Sequence, residues 1–346
     1  MSKYQETFIN PRGPGDARPT ALQIVEDEGL IDQLNDKVAF ITGANQGIGL
    51  ETARALHATG ATVFLGVRDL EKGQQAVNDI LSSNSSRGGK QEALHLVELS
   101  LDSLESVRSA AKAFLAKSPN RLNILILNAG VMAPPLGRTK DGFETQLGVN
   151  YLSHFLLFQL LKPALLASST ASFNSRVVAL SSMGHRVGGV RFDDLNFEAE
   201  GSYDPWAAYG QSKTAAIYLI AEVERRYAAR GLHALAVNPG GISTNLGQYL
   251  PAEYLKQAAE DRESQRYMKS PQQGAATTVW AAISKALEGR GARFLANCAE
   301  QGPAEPSTSP LSMVDSGYAP WAFDGEKAAR LWKASVEMVG VQDDSD

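Results

Sequence analysis

The chain has 346 residues, and 33 Lys plus Arg against 38 Asp plus Glu leave a net charge of −5 with histidine neutral. That balance, with basic residues scattered rather than blocked, excludes a polybasic binder of nucleic acid or anionic membrane. At 43% hydrophobic and 21% charged residues the composition is that of a globular protein with a sizeable core, and its one cysteine, Cys298, permits no internal disulfide and no cysteine-based metal site.

Residues 1–28 are polar, carry several Pro and Gly, and lack the apolar run of a signal peptide or membrane anchor, so a soluble, cytoplasmic protein is expected. Within an N-terminal extension, 1–36, Pro19 to Gly29 suggests one short helix. Lys37 to Thr42 then reads as a buried strand stopped by Gly43, and similar short apolar runs follow at Ala61–Val67, Ala93–Leu99, Ile124–Asn128, Arg176–Ser181, His233–Asn238 and Ala292–Leu295. Helical spacing appears between them at Gly49–Thr59, Leu101–Ala116, Phe143–Leu166, Ala208–Arg230 and Pro271–Glu288. Strands apolar on both faces need helices on both sides, which predicts an α/β, doubly wound parallel sheet (Rossmann-like) in a single domain. The expected organisation is a catalytic domain over 37–296 with substrate loops at 184–207 and 245–270, then a C-terminal extension, 297–346, with a loop and a terminal helix. Ser82–Gly89 and Gly302–Pro310 read as low-complexity loops.

After the first strand comes Thr42-Gly43-Ala44-Asn45-Gln46-Gly47-Ile48-Gly49. Glycines 43, 47 and 49 allow a sharp turn and close approach, while a helix beginning there presents free amides and a positive dipole end to a pyrophosphate. The second strand ends Gly66-Val67-Arg68-Asp69, with Val67 where an acid would select NAD and Arg68 next to it with a fork suited to phosphate. NADP (NADPH) is favoured. An Arg68 paired with Asp69 or Glu71 at the surface is the competing account, and an Asp69 reaching a ribose keeps NAD open.

Tyr209 and Lys213, four apart on a helix, share a face. Asn128-Ala129-Gly130 ends the fourth strand and Ser181-Ser182 the fifth, so these groups fall on the rim where open parallel sheets bind ligands, with Asn150 on a helix. In the order T-G-x-x-x-G-I-G, N-A-G, Asn, Ser, Y-x-x-x-K and P-G, the chain resembles the short-chain dehydrogenases/reductases over about residues 37–296. Gly66-Val67-Arg68-Asp69, Ser181-Ser182-Met183-Gly184-His185 and Tyr209-Gly210-Gln211-Ser212-Lys213 are similar to the branch holding retinol dehydrogenases and the WW-domain oxidoreductase.

That resemblance implies a tetrad of Asn150, Ser182, Tyr209 and Lys213, with Tyr209 exchanging a proton, Lys213 holding ribose hydroxyls, Ser182 bonding the substrate oxygen and Asn150 holding a water. A nearby ammonium together with an oxidised nicotinamide ring is expected to stabilise the phenolate. The resemblance also implies a cofactor contact at Asn128, Ala129 and Gly130, at Ser100 or the Leu101 backbone beside the adenine, and at Pro239, Gly240, Ile242 and Thr244 after the sixth strand. Met183, Tyr203, Trp206, Leu246 and Tyr249, with Phe192, Phe197, Tyr254, Tyr318, Trp321 and Phe323, suggest an apolar substrate pocket, and Arg186 or Arg191 would be needed for a carboxylate. His154 reads as a packed or surface histidine, and no histidine shows metal spacing.

The sequence therefore points to an NADPH-dependent carbonyl reductase, reversible as a secondary-alcohol dehydrogenase, for a medium or bulky hydrophobic ketone or aldehyde. An NAD-dependent alcohol dehydrogenase and an NADP(H)-sensing regulatory protein are the alternatives. Monomer and homodimer both stand, since helices Phe143–Leu166 and Ala208–Arg230 are candidates to pair two subunits.

Overall fold

β-branched and aromatic residues in Val38–Thr42 are buried on both faces, and that double burial governs the architecture. The computed structural model describes residues 3–84, 90–118, 120–306 and 309–343. Its strands are β1 (Val38–Thr42), β2 (Thr62–Val67), β3 (Leu94–Glu98), β4 (Ile124–Leu127), β5 (Ser175–Leu180), β6 (Leu232–Asn238), β7 (Arg293–Ala296) and β8 (Ala299–Glu300). They form one sheet in the order β3-β2-β1-β4-β5-β6-β7-β8, parallel except for the β7–β8 pair. In register, Ala39 lies between Val63 and Ile124, so the strand order reverses between β1 and β4. The C-terminal ends of β1, β4, β5 and β6 consequently share a rim.

The α-helices are α1 (Ala21–Asp27), α2 (Gly47–Ala58), α3 (Leu70–Asn84), α4 (Leu104–Lys117), α5 (Thr145–Leu147), α6 (Ser153–Ser168), α7 (Pro205–Tyr227), α8 (Ala252–Glu260), α9 (Arg262–Tyr267), α10 (Pro271–Gly274), α11 (Ala276–Ile283) and α12 (Gly325–Val339). Alternation of side chains along each strand divides the core in two. Phe40 and Phe64 face Phe114, Phe155 and Trp332 from α4, α6 and α12. Ile41 and Leu65 face Ile24, Leu56 and Val279 from α1, α2 and α11. The N-terminal helix is thus part of the core.

Each predicted strand is present. The helical stretch from Phe143 is broken, however: Glu144 accepts from the amides of Gln146 and Leu147 to start α5, and a π-turn, Gly148–Leu152, precedes α6. The stretch from Pro271 ends at Ile283, opened by a Ser270/Gln273 capping box and interrupted at Ala275. Ser82–Asn84 form the last turn of α3, while 85–89 and 307–308 of the two predicted loops lie outside the described residues. The span 245–270 carries α8 and α9 in place of an open loop.

α12 bears on the subunit question. Trp332, 1% exposed, lies 5.0 Å from the Phe155 ring and 6.1 Å from Phe158, with Arg226 stacked on it at 4.4 Å. Tyr151 and Ser335 share a 2.7 Å hydrogen bond. The terminal helix therefore covers the faces of α6 and α7 that the sequence offered for pairing two subunits. No helix among the described residues is long and apolar enough to cross a membrane.

Candidate active site

At the end of β1 the chain turns through Gly43 (φ +66°) and Gly47 (φ +55°), both left-handed and suited to glycine. Gln46 gives α2 no side-chain cap, so the first amides of a twelve-residue helix stay open. A Cβ on Gly49 would stand 2.2 Å from the Gly43 carbonyl oxygen and 2.6 Å from Asn128 Nδ2, so only glycine lets the turn close. Open amides above a tight glycine turn fit the pyrophosphate of a dinucleotide. Asn45 and Ile48 are half-buried in this turn, and the Asn245 amide donates to Gln46 Oε1 at 2.7 Å, drawing the loop after β6 over it. The Thr244 methyl comes within 3.3 Å of where a Gly47 Cβ would be.

Behind the turn, Asn128 donates its side-chain amide to Thr42 O at 2.8 Å and more weakly to Gly43 O at 3.3 Å. The amides of Asn128 and Ala129 both donate to Thr42 Oγ1, at 2.9 and 3.0 Å. Asn128 is therefore a strut between β4 and the glycine turn. Thr42 Oγ1 also meets His154 Nε2 at 2.9 Å, and His154 Nδ1 meets the Asn150 carbonyl at 3.0 Å. Burial drives the His154 pKa down to about 3.

At the end of β2, Val67 is buried and Arg68 is exposed, with no ion pair or hydrogen bond among the described residues. The surface pairing considered for Arg68 is absent there. Asp69 Oδ1 accepts from the amides of Glu71 and Lys72 at 3.0 and 3.1 Å, opening α3. Ser100 is half-buried with its amide donated to Ser106 Oγ, and the Leu101 carbonyl accepts from Ser153 Oγ at 2.7 Å.

The central group is brought together by β5 and α7. Asp204 caps α7 through the Ala207 amide, with Pro205 in the first turn, which places Tyr209 and Lys213 under the end of β5. Ser182 adjoins Tyr209 closely enough to oppose the rise in its pKa, and a Cβ on Gly184 would lie 2.7 Å from the Tyr209 ring and 3.4 Å from Ser182 Oγ. Ser182 Oγ accepts from the Gly184 amide at 3.0 Å, while Ser181 Oγ donates to the Lys213 carbonyl at 2.9 Å, tying strand to helix. Lys213 Nζ donates to Leu180 O at 2.9 Å and stands 5.7 Å from the Tyr209 ring centroid. A Cβ on Gly130 would meet it at 3.5 Å and Asn150 Oδ1 at 3.0 Å.

Burial pushes the Tyr209 phenol up to about 12, with the neighbouring Ser182 opposing the rise. Burial also lowers the Lys213 ammonium to about 8. Desolvation is the largest cause of both shifts. Asn150 Oδ1 accepts from the Val131 amide at 2.8 Å, and Nδ2 donates to Val131 O and Ser212 Oγ, both at 2.9 Å. Its carboxamide clamps the segment after β4. Ser212 Oγ in turn donates to the Tyr209 carbonyl at 2.8 Å.

After β6, Gly240 has φ +96°, and a Cβ there would meet Lys269 Nζ at 2.9 Å. Lys269 Nζ donates to Pro239 O and Asn297 Oδ1, each at 2.9 Å, and Ile242 bridges to Lys269 through the backbone. Trp206 stands edge-on to Tyr209 at 6.1 Å and reaches Tyr254 at 6.5 Å, with Leu246 half-buried and Tyr249 exposed nearby in sequence. Met183, next to Ser182, lines a cavity of about 30 Å³ with Met313. The Tyr203 hydroxyl is committed to Pro134 O at 2.7 Å and its ring packs on Phe197, so it supports the loop and does not present its hydroxyl to a ligand.

Neither arginine proposed for a carboxylate is free. Arg186 donates to the carbonyls of Pro310, Ser312 and Asp315, and Arg191 donates to Ser202 O and stacks on Phe197. His185 is held between Ser182 O at 2.6 Å and the Ala319 amide at 3.0 Å, while Trp321 Nε1 donates to the His185 carbonyl. The C-terminal segment is thereby strapped beside Ser182. Sequence reasoning missed Lys269, which follows no periodicity, and His185, quoted only as a motif letter. Among the described residues no group of three or more His, Cys, Asp or Glu is placed to hold a metal.

A model of the family described as short chain dehydrogenase matches residues 37–194. The chain is 50% identical over 341 residues to the short-chain dehydrogenase/reductase prx1 of Penicillium roqueforti, covering 99% of this chain and 96% of that protein. It is 35% identical over 310 residues to retinol dehydrogenase 12 of Homo sapiens, covering 90% and 88%. A crystal structure of an uncharacterized protein from Mycobacterium paratuberculosis matches with a TM-score of 0.64 at 34% identity, covering 88% of this chain and 94% of that one. Identity to the fungal protein exceeds that to the retinol dehydrogenase, so these relatives do not single out the retinol dehydrogenase branch that the motifs suggested. Through full-length relatives, a shared fold and the ordered motifs on one rim, this chain belongs to the short-chain dehydrogenase/reductase family.

Proposed function

We propose that this chain is an NADPH-dependent carbonyl reductase, reversible as a secondary-alcohol dehydrogenase, acting on a medium or bulky apolar ketone or aldehyde. The observation that carries the reading is the convergence of Ser182 and the buried Tyr209 and Lys213, set one helical turn apart on α7, on the sheet rim that also carries the open N-terminus of α2. The glycine turn and the α2 amides would hold the pyrophosphate, Arg68 a 2′-phosphate, and Lys213 the ribose hydroxyls. Asp69 is committed to capping α3, which favours NADP over NAD. The likeness to retinol dehydrogenase 12, 35% identical over 310 residues, is not taken to bring a lipid substrate with it. With α12 covering α6 and α7, we read the protein as a monomer, and its single buried cysteine suits the cytoplasm.

A reduced nicotinamide, when bound, supplies the hydrogen and electron pair that the carbonyl carbon receives. Ser182 Oγ donates to the substrate oxygen and steadies the charge that grows there. A phenol held near 12 is protonated at neutral pH, and Tyr209 passes that proton to the oxygen. The buried Lys213, held near 8, supports the deprotonated phenol that remains. Trp206 and Met183 give the substrate side an apolar wall.

The test is NADPH consumption over a panel of apolar ketones and aldehydes. Tyr209→Phe is expected to lower kcat by about 100-fold or more while NADPH still binds. Absence of turnover by the wild type across that panel, with NADPH bound, would favour a cofactor-sensing protein. Unchanged turnover in Tyr209→Phe would remove the proton donor from the mechanism.

A further inference from the structure

None of the roles above uses the first twenty residues, yet Arg18 is only 4% exposed. Its guanidinium donates to the carbonyls of Gly13 at 3.0 Å, Tyr267 at 3.0 Å, Met268 at 2.6 Å and, at 3.4 Å, Arg266. Asp16 holds its Nε at 2.8 Å. A planar fork with fixed donor directions can span such a run of carbonyls, whereas an ammonium cannot. Gln273 closes the same junction: Oε1 accepts from the Gly15 and Ser270 amides, and Nε2 donates to Asp16 and to Arg18 O. The N-terminal segment thus grips 266–273 at both ends.

The other side of 266–269 rests on the turn after β6. The Lys269 amide donates to Gly241 O at 2.8 Å, and Lys269 Nζ donates to Pro239 O while lying 5.2 Å from the Phe8 ring. Met268 Sδ comes 2.8 Å from where a Gly241 Cβ would stand, so the packing is close. The 30 Å³ cavity joins this region to the catalytic rim, since Arg18, Gly241, Lys269 and Met183 all line it.

The geometry points to Arg18 as a positioning residue: the segment 11–18 is a clamp that holds 266–269 against Pro239–Ile242 and so shapes the part of the cofactor site that Pro239, Gly240 and Ile242 would line. The clamp itself stands on contacts alone. Its consequence for the cofactor rests on the proposed function.

Full-length Arg18→Met and Arg18→Lys are compared with wild type by hydrogen exchange over 266–274 and 239–242, and by NADPH titration. Both variants are expected to exchange faster in those two segments, with β1 to β5 unchanged. NADPH affinity is expected to fall about tenfold, with kcat at saturating NADPH changed much less, and Lys is not expected to restore it. Native exchange at 266–274 in a folded variant overturns the clamp, and faster exchange there with unchanged NADPH affinity overturns its action on the site. Should both variants fail to fold, Asp16→Asn, which loosens the guanidinium without removing it, is read the same way: faster local exchange with weaker NADPH binding supports the clamp, and silence in either refutes it. Wild type that binds no NADPH sinks the proposed function, while the exchange data still decide the clamp.

Discussion

Replacing Arg68 isolates the basis of cofactor choice. The side chain is exposed and makes no ion pair or hydrogen bond among the described residues, so Arg68→Ala should leave stability within about 0.5 kcal/mol of wild type. Against a 2′-phosphate the guanidinium offers charge-assisted hydrogen bonds worth about 1.5–3 kcal/mol, which corresponds to about 10- to 150-fold in Kd. The variant should therefore lose NADPH affinity by that factor and keep its NADH affinity. Asp69→Ala is the informative partner, because its carboxylate starts α3. It should cost about 0.5–2 kcal/mol of stability and leave the NADPH-to-NADH ratio alone. Parallel titrations of both dinucleotides, with denaturation curves for each variant, read out all of these quantities. Equal loss of NADPH and NADH in Arg68→Ala, or a cofactor ratio that moves with Asp69 instead, would refute the reasoning.

Two further outcomes follow from burial. His154 and His185 are held down to about 3 and about 4 by desolvation, against an ordinary value of 6.5, so the folded protein keeps both neutral. Between pH 6.5 and about 4 the unfolded chain binds more protons, and stability should fall with pH by up to about 1.4 kcal/mol per pH unit for each histidine. Denaturation of wild type and His185→Gln at pH 7 and pH 5 checks this, and an identical pH slope in the two would contradict it. Trp332→Ala should cost about 3–5 kcal/mol, as expected for an enclosed large aromatic, and uncover apolar surface on α6 and α7. Denaturant unfolding gives the first quantity and light scattering detects any resulting self-association; a loss below about 1 kcal/mol would mean that α12 is only loosely docked.

Much of the frame is legible in the sequence because both faces of the sheet are buried: the seven parallel strands are short apolar runs that resemble nothing else in the chain. Helix α3 is less legible. It carries Gly73 in its interior, where a Cβ would stand 2.8 Å from Val67 and 2.9 Å from Leu96, so close packing on β2 and β3 demanded the residue that weakens the helical signal. The break at Gly148–Leu152 was hidden for a different reason, since Glu144 and Asn150 act through hydrogen bonds that hydrophobic spacing does not report. Site motifs could be ordered along one rim, but not their partners. Four-residue spacing put His154 near Asn150 without saying that its ring spans to Thr42, and nothing local marks Arg18 as the residue that holds segment 266–268.

The bonding at Thr42 fixes the direction of every link around it. A hydroxyl that already accepts two amide hydrogens has one hydrogen left to give, and His154 Nε2 at 2.9 Å is a better acceptor than Ile126 O at 3.5 Å. The imidazole must then carry its hydrogen on Nδ1, aimed at the Asn150 peptide. Such a ring is an insulator: it cannot pass a hydrogen ion from one neighbour to the other without reversing every bond in the set. In the reaction proposed above, Tyr209 would therefore be replenished by a route that does not run through His154.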